Sequence, residues 1–318
     1  MKFWTFPRQR TASVLLLALC HSLSGIVLAQ TAGASPQLTL PLGLSEAVAQ
    51  NIAAHLQLAR QSCDEPLANV RRRLPEISAQ VDQALQALGY YNATHILQVN
   101  PINEGNCWEL QVVSLNPGLP VTVSQVNIQV QGDAEAQALF APAVASANLI
   151  SGQALDQGRY EELKNALISL AMDEGYFDAR FERNEIAVDL VDNNSVIELI
   201  FNPGSRYHFG LISVEGEAPL DSKMIMRMIE TREGDPYSST ELAALRGRLD
   251  ASQYFRSIQV APRLGQSADQ SVPIDVMLQL QPRHAWTGGL GFSTDTGPNA
   301  RLSYENRYVN SAGHTLRA

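Results

Sequence analysis

The stretch Leu88-Gly89-Tyr90-Tyr91 stands where a helical pattern ends and an alternating pattern begins, and it returns twice along the chain. The later copies are Gly175-Tyr176-Phe177 and Gln253-Tyr254-Phe255. Tyr90 and Tyr176 lie 86 residues apart, and Tyr176 and Tyr254 lie 78 apart. Such self-similarity indicates an internal repeat. We therefore interpret six aromatic residues as markers of three copies of one unit: Tyr90, Tyr91, Tyr176, Phe177, Tyr254 and Phe255.

A second landmark repeats in step with the first. Asn116-Pro117-Gly118 returns as Asn202-Pro203-Gly204 and, in reduced form, as Gln281-Pro282. The three prolines lie 86 and 79 residues apart. Two landmarks with one period predict units at residues 30–117, 118–203 and 204–282.

Each unit is predicted to have the order strand, helix, helix, strand, strand, with helices where apolar residues recur at helical spacing. The predicted helices span residues 45–61, 67–88, 133–147, 155–174, 222–231 and 241–252, with Ser239 as the N-cap of the last. The predicted strands span residues 90–99, 107–115, 121–130, 176–190, 195–201, 207–214, 258–260 and 276–280. Two helices on one face of a small sheet form an α+β layer. The open sheet edges could accept an extended segment of another chain, or neighbouring units could cover them.

The composition is that of a folded protein, with 45% hydrophobic and 17% charged residues among 318. A net charge of −9 argues against a nucleic-acid partner, because such proteins normally carry a basic surface. The sequence has no HExxH, GxSxG or P-loop motif, and its histidines stand singly, without ligand spacing. We therefore predict no enzyme activity, no cofactor and no metal site.

Residues 1–29 are predicted to be a signal peptide. The first ten residues carry three basic side chains and no acidic one, and the apolar run at 14–19 is too short to span a membrane. Small residues place the cleavage between Ala29 and Gln30. An uncleaved N-terminal anchor and a lipoprotein signal at Cys20 are the alternatives. Export would bring the mature chain into a compartment that permits disulfides.

Cys63 and Cys107 remain in the mature chain. Cys63 lies in the connection between the predicted helices of the first unit, and Cys107 follows the turn between its last two strands. The second helix runs away from that connection and the next strand runs back, so both cysteines belong at one end of the unit. This arrangement predicts a disulfide, with two separate thiols as the alternative.

The pattern changes after Pro282. Apolar or aromatic residues alternate with polar or small ones at residues 286–292 and again at 300–305, with turn residues between them. This alternation is the weak signature of transmembrane barrel strands, and a soluble hairpin is the alternative. A single-chain barrel needs about eight strands or more, so we expect residues 283–318 to begin a barrel that continues in a longer protein.

These features resemble the outer-membrane insertase superfamily with periplasmic POTRA domains, and within it the branch of the translocation and assembly module. The similar segments are residues 88–91 (LGYY), 116–118 (NPG), 174–178 (EGYFD), 204–210 (GSRYHFG), 233–237 (EGDPY) and 291–298 (GFSTDTGP). The resemblance covers about residues 38–318. Three repeats distinguish the chain from members with five and from two-partner secretion transporters with two.

The resemblance implies three tandem POTRA-like domains followed by the first strands of a transmembrane β-barrel. It implies the outer membrane of a Gram-negative bacterium, with the POTRA-like domains in the periplasm. The implied partners are a TamB-like inner-membrane-anchored protein, unfolded outer-membrane or autotransporter clients, and outer-membrane lipid. The implied function is protein assembly by strand addition and docking. A stand-alone periplasmic scaffold and a part of a phospholipid-transport bridge are the alternatives.

Gly288, Gly289 and Gly291 are the candidate gate residues. In the complete barrel the first strand would pair with the last, and glycines there contribute no side chains to cross-strand pairs. A weak seam could open sideways and template client strands. The alternative is that the glycines relieve crowding at a bend.

Overall fold

The computed structural model describes residues 35–102, 104, 106–267, 269–293 and 297–318. These residues form four three-stranded sheets in succession along the chain, of which the first three are accompanied by helices. The predicted α+β class with three tandem strand and helix units is confirmed. The predicted cleavage residues Ala29 and Gln30 lie outside the described residues.

The first unit contains three strands and three α-helices, with a short 3-10 helix at Leu58–Arg60. The strands and α-helices are β1 (Gln37–Thr39), α1 (Glu46–Leu56), α2 (Leu67–Arg72), α3 (Leu74–Ala87), β2 (Thr94–Ile102) and β3 (Cys107–Asn116). The central strand β3 runs parallel to β1 and antiparallel to β2. The single helix predicted over residues 67–88 is wrong, because the helix breaks at Arg73 and restarts with Pro75 in the first turn of α3. Proline lacks the N–H that a helix interior needs.

The second unit repeats this sheet topology with two α-helices in place of three and a longer first strand. Its elements are β4 (Thr122–Val130), α4 (Ala134–Ser146), α5 (Gln157–Asp173), β5 (Arg180–Asp189) and β6 (Asn194–Asn202). The central strand β6 pairs parallel to β4 and antiparallel to β5. Asp133 and Asp156 cap α4 and α5, and their carboxylates accept bonds from backbone N–H groups at 2.8 and 3.3 Å. Such caps satisfy N–H groups that have no partner inside the helix.

The third unit has the same order and a shorter first helix. Its elements are β7 (His208–Glu215), α6 (Ser222–Met226), α7 (Ser239–Ala251), β8 (Phe255–Pro262) and β9 (Ser271–Leu280), with β9 in the centre. The helix predicted over residues 222–231 ends at Met226. The N-cap of α7 is Ser238 rather than Ser239. Ser239 instead donates its hydroxyl to Asp173 of the second unit at 2.7 Å.

Each unit has its own hydrophobic core between its sheet and its helices. Alternate residues of the central strand supply it, because successive side chains of a strand point to opposite faces. These buried residues are Leu110 and Val112 in β3, Ile197, Leu199 and Phe201 in β6, and Ile274, Val276 and Leu278 in β9. The fold is thus a series of small two-layer units.

The last sheet follows the third unit directly in the sequence. Strands β10 (His284–Ser293) and β11 (Gly297–Asn306) form an antiparallel hairpin, and the short β12 (Leu316–Arg317) pairs with β11. Ten consecutive residue pairs join β10 to β11. Only residues 281–283 separate β9 from β10.

Candidate functional site

The first marker glycine lies at the junction between the first two units. The Gly89 carbonyl accepts a hydrogen bond from the N–H of Val121 (N···O 2.8 Å), and the Val121 carbonyl accepts one from the N–H of Leu155 (2.8 Å). Gly89 has a φ of 85°, and a Cβ on it would lie 2.8 Å from the carbonyl oxygen of Leu155. Glycine is needed here because the backbone is left-handed and the next unit leaves no room for a side chain.

The second junction repeats this arrangement bond for bond. The Gly175 carbonyl accepts from the N–H of Tyr207 (2.8 Å), and the Tyr207 carbonyl accepts from the N–H of Tyr237 (3.0 Å). A Cβ on Gly175, whose φ is 82°, would lie 2.8 Å from the Cβ of Tyr237. A short antiparallel bridge flanks these bonds at each junction. Successive units therefore meet in one shared geometry.

The second aromatic residue of each of these two markers reaches across the junction. Tyr91 packs against the core of the second unit, and its hydroxyl accepts a hydrogen bond from Gln157 at 2.6 Å. Phe177 makes edge-on ring contacts with Tyr207 and Tyr237 of the third unit, with ring centres 5.3 and 4.9 Å apart. These rings join neighbouring cores, since edge-to-face aromatic pairs add to the energy of burial.

The third marker has Gln253 in place of the glycine, and comparison with the first two markers shows why they need glycine. Gln253 adopts a φ of 59° without being glycine, and no further helical unit follows it in the part of the chain that the structure describes. Phe255 is buried in the core of its own unit. The glycines of the first two markers are therefore required by the approach of a neighbouring unit, in addition to the turn at the helix end.

Arg206 makes the second junction charged. Its guanidinium donates to the Glu174 carboxylate (2.7 Å), the Glu174 carbonyl (3.0 Å) and Glu135 (2.8 Å). It also lies 5.8 Å from the ring centre of Tyr176. Burial raises the pKa of Tyr176, and the positive charge of Arg206 opposes that rise. Because Glu135 is mostly exposed, the bonds to Glu174 dominate the attachment.

Cys63 and Cys107 form a disulfide in the structure, with their Cα atoms 4.4 Å apart. Cys107 is buried at the start of β3. The adjacent Trp108 is fully buried and donates its indole N–H to the Ser62 carbonyl at 3.2 Å. Both contacts hold the loop between α1 and α2 against the start of β3.

The terminal hairpin exposes one apolar face. Trp286, Leu290 and Phe292 of β10 share that face with Leu302 of β11, and each of the four is at least 67% exposed. The ring of Tyr304 packs beside Trp286, with centres 4.6 Å apart. The opposite face carries polar and small residues from both strands. Such a surface is large for a protein in water and is typical of a binding or membrane surface.

The three candidate gate glycines lie together on β10. A Cβ on Gly288 or Gly289 would meet no atom within 4 Å. A Cβ on Gly291 would lie 2.7 Å from the amide oxygen of Asn299, which is the end of a flexible side chain. Crowding therefore does not require glycine at 288 or 289. Strand β10 is also one of the two outer strands of its sheet among the described residues, the other being the short β12.

The segment after the hairpin returns to the third unit. Tyr308 lies in the core of that unit, and its hydroxyl donates to the Gln281 carbonyl at 3.1 Å. The Tyr254 hydroxyl donates to the Gly313 carbonyl at 2.6 Å. The base of the hairpin is thus held to the third unit both by the chain from β9 and by this returning segment.

The sheet edges differ in how open they are to another strand. Bulges place Glu182 out of register on β5 and Arg256 on β8, and β4 and β7 are bulged as well. Charged or bulged edges resist strand addition. In the first sheet the extra residue, Val113, falls on the central strand, so the edge strand β2 is regular over nine residues. Among the three units that contain helices, β2 is therefore the edge strand best suited to accept another strand.

Sequence reasoning missed the residues that receive the marker glycines, namely Leu155 and Tyr237. A usable signal was present, because Gly152 and Gly234 precede these residues by three positions and lie 82 residues apart. The structure does not gather the predicted residues into one site. The disulfide lies in the first unit, the glycine and aromatic markers lie at junctions, and the gate glycines lie in the hairpin.

One polar cluster has the residue types of a hydrolase. His95 Nε2 lies 2.8 Å from Ser78 Oγ, and its Nδ1 lies 3.4 Å from Asp82. Ser78 lies inside α3, where the backbone N–H groups are used by the helix and form no oxyanion site. We read the cluster as a contact between α3 and β2. Among the described residues, no group of acidic, histidine and cysteine side chains could hold a metal ion.

Comparison with protein families identifies two of the units. Residues 42–113 match the family model described as POTRA domain TamA domain 1. Residues 207–279 match a POTRA model described as Surface antigen variable number repeat. Two of the three units therefore match POTRA domains, and the second unit, which lies between them, has the same strand order. More particularly, the first unit is of the kind described for the first domain of TamA. The boundaries at residues 117, 203 and 282 stay predictions.

Several solved structures are similar at low identity. BamA from Haemophilus ducreyi lacking POTRA domains 1–3 is 16% identical, covering 62% of this chain and 36% of that one, with a TM-score of 0.47. BamA POTRA3–5 from Haemophilus influenzae is 16% identical, and the match covers 78% of this chain and 96% of that one, with a TM-score of 0.44. CdiB from Acinetobacter baumannii is 14% identical, covering 86% and 47%, with a TM-score of 0.36. In the described ranges, no helix combines the length and apolarity needed to cross a membrane.

Proposed function

We propose that this chain is the periplasmic arm and the first barrel strands of an outer-membrane assembly factor of the TamA type. The observation that carries the proposal is the hairpin, whose apolar face stands directly beside a POTRA unit. Leaving a large apolar side chain in water forgoes ~1.5–3 kcal/mol of burial, and the hairpin exposes four such residues. The POTRA models matched by the first and third units support the same assignment.

The dimensions of the hairpin suit a membrane. Strands β10 and β11 have ten residues each, which is the length at which a tilted strand crosses the hydrocarbon core. Trp286 and Tyr304 lie near the end of the hairpin that adjoins the third unit, where barrels carry aromatic residues at the interface. On this proposal lipid covers the apolar face, Thr287 and Arg301 point inward, and the third unit stays in the periplasm.

The gate follows from the outer position of β10. In a closed barrel its free edge would pair with the last strand, and Gly288, Gly289 and Gly291 would offer that strand no side-chain contacts. A seam weakened in this way opens at lower cost than the rest of the wall. The exposed backbone of β10 then offers hydrogen bonds to an incoming client strand, with little demand on its sequence.

Strand β2 is the proposed docking edge of the arm. It is regular over nine residues and contains no Asp, Glu, Lys or Arg. Pro101 has no N–H to donate, and the Val99 carbonyl already accepts a bond from Arg71 at 3.3 Å. An extended client segment would therefore pair with the backbone of residues 94–98, where the edge has no bulge. The partners that we propose are unfolded outer-membrane or autotransporter proteins, a TamB-like protein anchored in the inner membrane, and outer-membrane lipid around the hairpin.

The test is assembly in liposomes. The full-length protein is reconstituted, an unfolded β-barrel client is added, and its folding is followed by the appearance of protease-resistant product. We expect faster folding than in empty liposomes, and loss of the acceleration in a matched protein that lacks residues 35–203. Equal folding rates with and without the full-length protein would overturn the proposal. A stand-alone scaffold would instead fail to float with the liposomes.

A further inference from the structure

The two junctions share a backbone geometry but enclose clefts of different chemistry. At the second junction the cleft beside the start of α4 is lined by charged groups, with Arg206 bonded to Glu135 and Glu174 across it. At the first junction the corresponding cleft has a volume of about 290 Å³ and lies beside the start of α1. The repeat allows the two sets of lining residues to be compared position by position.

In the first cleft, uncharged residues stand at the positions of Arg206 and of the two glutamates that it binds. Ala47 stands in place of Glu135, two residues after the N-cap of its helix. Leu88 stands in place of Glu174, directly before the marker glycine, and Pro120 in place of Arg206. The tyrosine is kept, since Tyr90 corresponds to Tyr176. The first cleft therefore lacks the charged network that Arg206 forms in the second.

The far wall of the first cleft comes from the second unit and carries both apolar and polar residues. Leu149, Ile150 and Leu155 are its large apolar residues, and Ile150 is 47% exposed. Asn148, in the same wall, has a φ of 50° directly after the C-cap of α4, the left-handed conformation with which helices commonly end. Arg159 and Asp156 also line the cleft and pair with each other at 3.4 Å, so these two charges balance one another.

We propose that this first cleft binds one apolar side chain of an extended client segment. Its volume is just below the range of ~300–1,000 Å³ of ligand pockets, which suits a single leucine or phenylalanine side chain rather than a lipid tail. Tyr90 lies four residues before β2 begins at Thr94, at the same end of the first unit. A strand added along β2 and continued past Thr94 leads toward the cleft. This inference rests on the proposed function for its choice of occupant.

The test measures binding directly, without membrane or assembly. N-acetyl-leucine amide and N-acetyl-arginine amide are titrated into the methyl-labelled chain, and methyl chemical shifts are followed by NMR. We expect the leucine derivative to shift the methyl signals of Leu88, Leu149, Ile150 and Leu155 selectively. We expect the arginine derivative to leave these signals unmoved.

Two exposed residues of the second unit provide matched variants. Ile150→Asp should weaken binding of the leucine derivative by about tenfold, as expected for the loss of an apolar pocket contact worth ~1–3 kcal/mol. Leu190→Asp changes a residue of nearly equal exposure, 51% against 47%, outside the cleft, and should leave binding unchanged. Shifts spread over the surface, equal binding of both derivatives, or equal effects of the two variants would overturn the proposal. Because assembly is not part of the readout, a failure here leaves the assembly test standing.

Discussion

Replacement of Gly175 by alanine should loosen the junction between the second and third units. An alanine at a φ of 82° costs about 1–2 kcal/mol in backbone strain. Its Cβ would also lie 2.8 Å from the Cβ of Tyr237 and 3.2 Å from the Tyr207 carbonyl oxygen. Both atoms belong to the third unit, so the clash acts across the junction.

The junction is weak enough to yield to this clash. Its direct bond from the Tyr207 N–H to the Gly175 carbonyl is worth about 1 kcal/mol net. The two ring contacts of Phe177 add about 0.5–1.5 kcal/mol each. These contacts beside Gly175 total about 2–4 kcal/mol, which is comparable with the cost of the clash. The bonds of Arg206 to Glu174 and of Ser239 to Asp173 lie outside this total and still tether the two units. We therefore expect the units to stay folded while their relative orientation becomes variable.

Gly234→Ala is the matched control, because Gly234 has a φ of 90° and a Cβ there meets no atom within 4 Å. It should show the backbone strain alone. Spin labels at the exposed residues Glu162 and Arg246 report the distance between the units by double electron–electron resonance. We expect a broader distance distribution for Gly175→Ala than for the wild type and an unchanged one for Gly234→Ala. Equal distributions for the two alanine variants would refute the reasoning.

Three further predictions concern the hairpin, the disulfide and a buried tyrosine. In the double variant Gly288→Val, Gly289→Thr the new side chains meet open space. The variant should stabilise the hairpin by about 1–2 kcal/mol, at ~0.5–1 kcal/mol per glycine. It should also slow client folding in liposomes, and an unchanged folding rate would count against the gate. Alkylation of the unreduced protein, read by mass spectrometry, should label neither Cys63 nor Cys107, and two labelled cysteines would exclude the bridge. The variant Cys107→Ser should lower the free energy of unfolding by up to ~4 kcal/mol, because the bridge joins residues 44 positions apart. Burial raises the pKa of Tyr160 to about 12, so the stability that its protonated form contributes is complete below the unfolded pKa of 10.0 and is lost as the pH rises toward about 12. Urea unfolding across that window should show a smaller alkaline loss for Tyr160→Phe, and identical losses would contradict the assignment.

The repeat could be predicted from the sequence because its marker residues have the same structural role at each junction. A glycine followed by two aromatic residues is required wherever one unit ends and another packs on it, so Gly89 and Gly175 recur with the period of the fold. The alternation in the hairpin was readable for a similar reason, since a strand with one apolar face shows a period of two residues.

Features that depend on partners far along the chain were not readable. The bulge at Val113 arises from the pairing of β2 with β3, and a strand pattern does not reveal such a shift of register. The break at Arg73 has a local cause instead, namely Pro75 in the first turn of α3. It was missed because the apolar residues keep a helical spacing across the break. The contrast between the two clefts needs Pro120 and Arg206 to be superposed, and that requires the junction geometry.

The central claim is that β10 presents the edge on which client strands assemble. Cysteines at Thr287 of β10 and Ser303 of β11 provide the most direct measurement, because these residues pair across the hairpin. In the proposed closed barrel β10 lies at the seam, whereas β11 is flanked by β10 and by the strand that follows it. Each variant of the full-length protein is given a client with a cysteine in its last strand, and disulfide adducts are collected during assembly. The account predicts adducts at Thr287→Cys and none at Ser303→Cys. Assembly without an adduct at Thr287→Cys, or equal adducts at both positions, would contradict it.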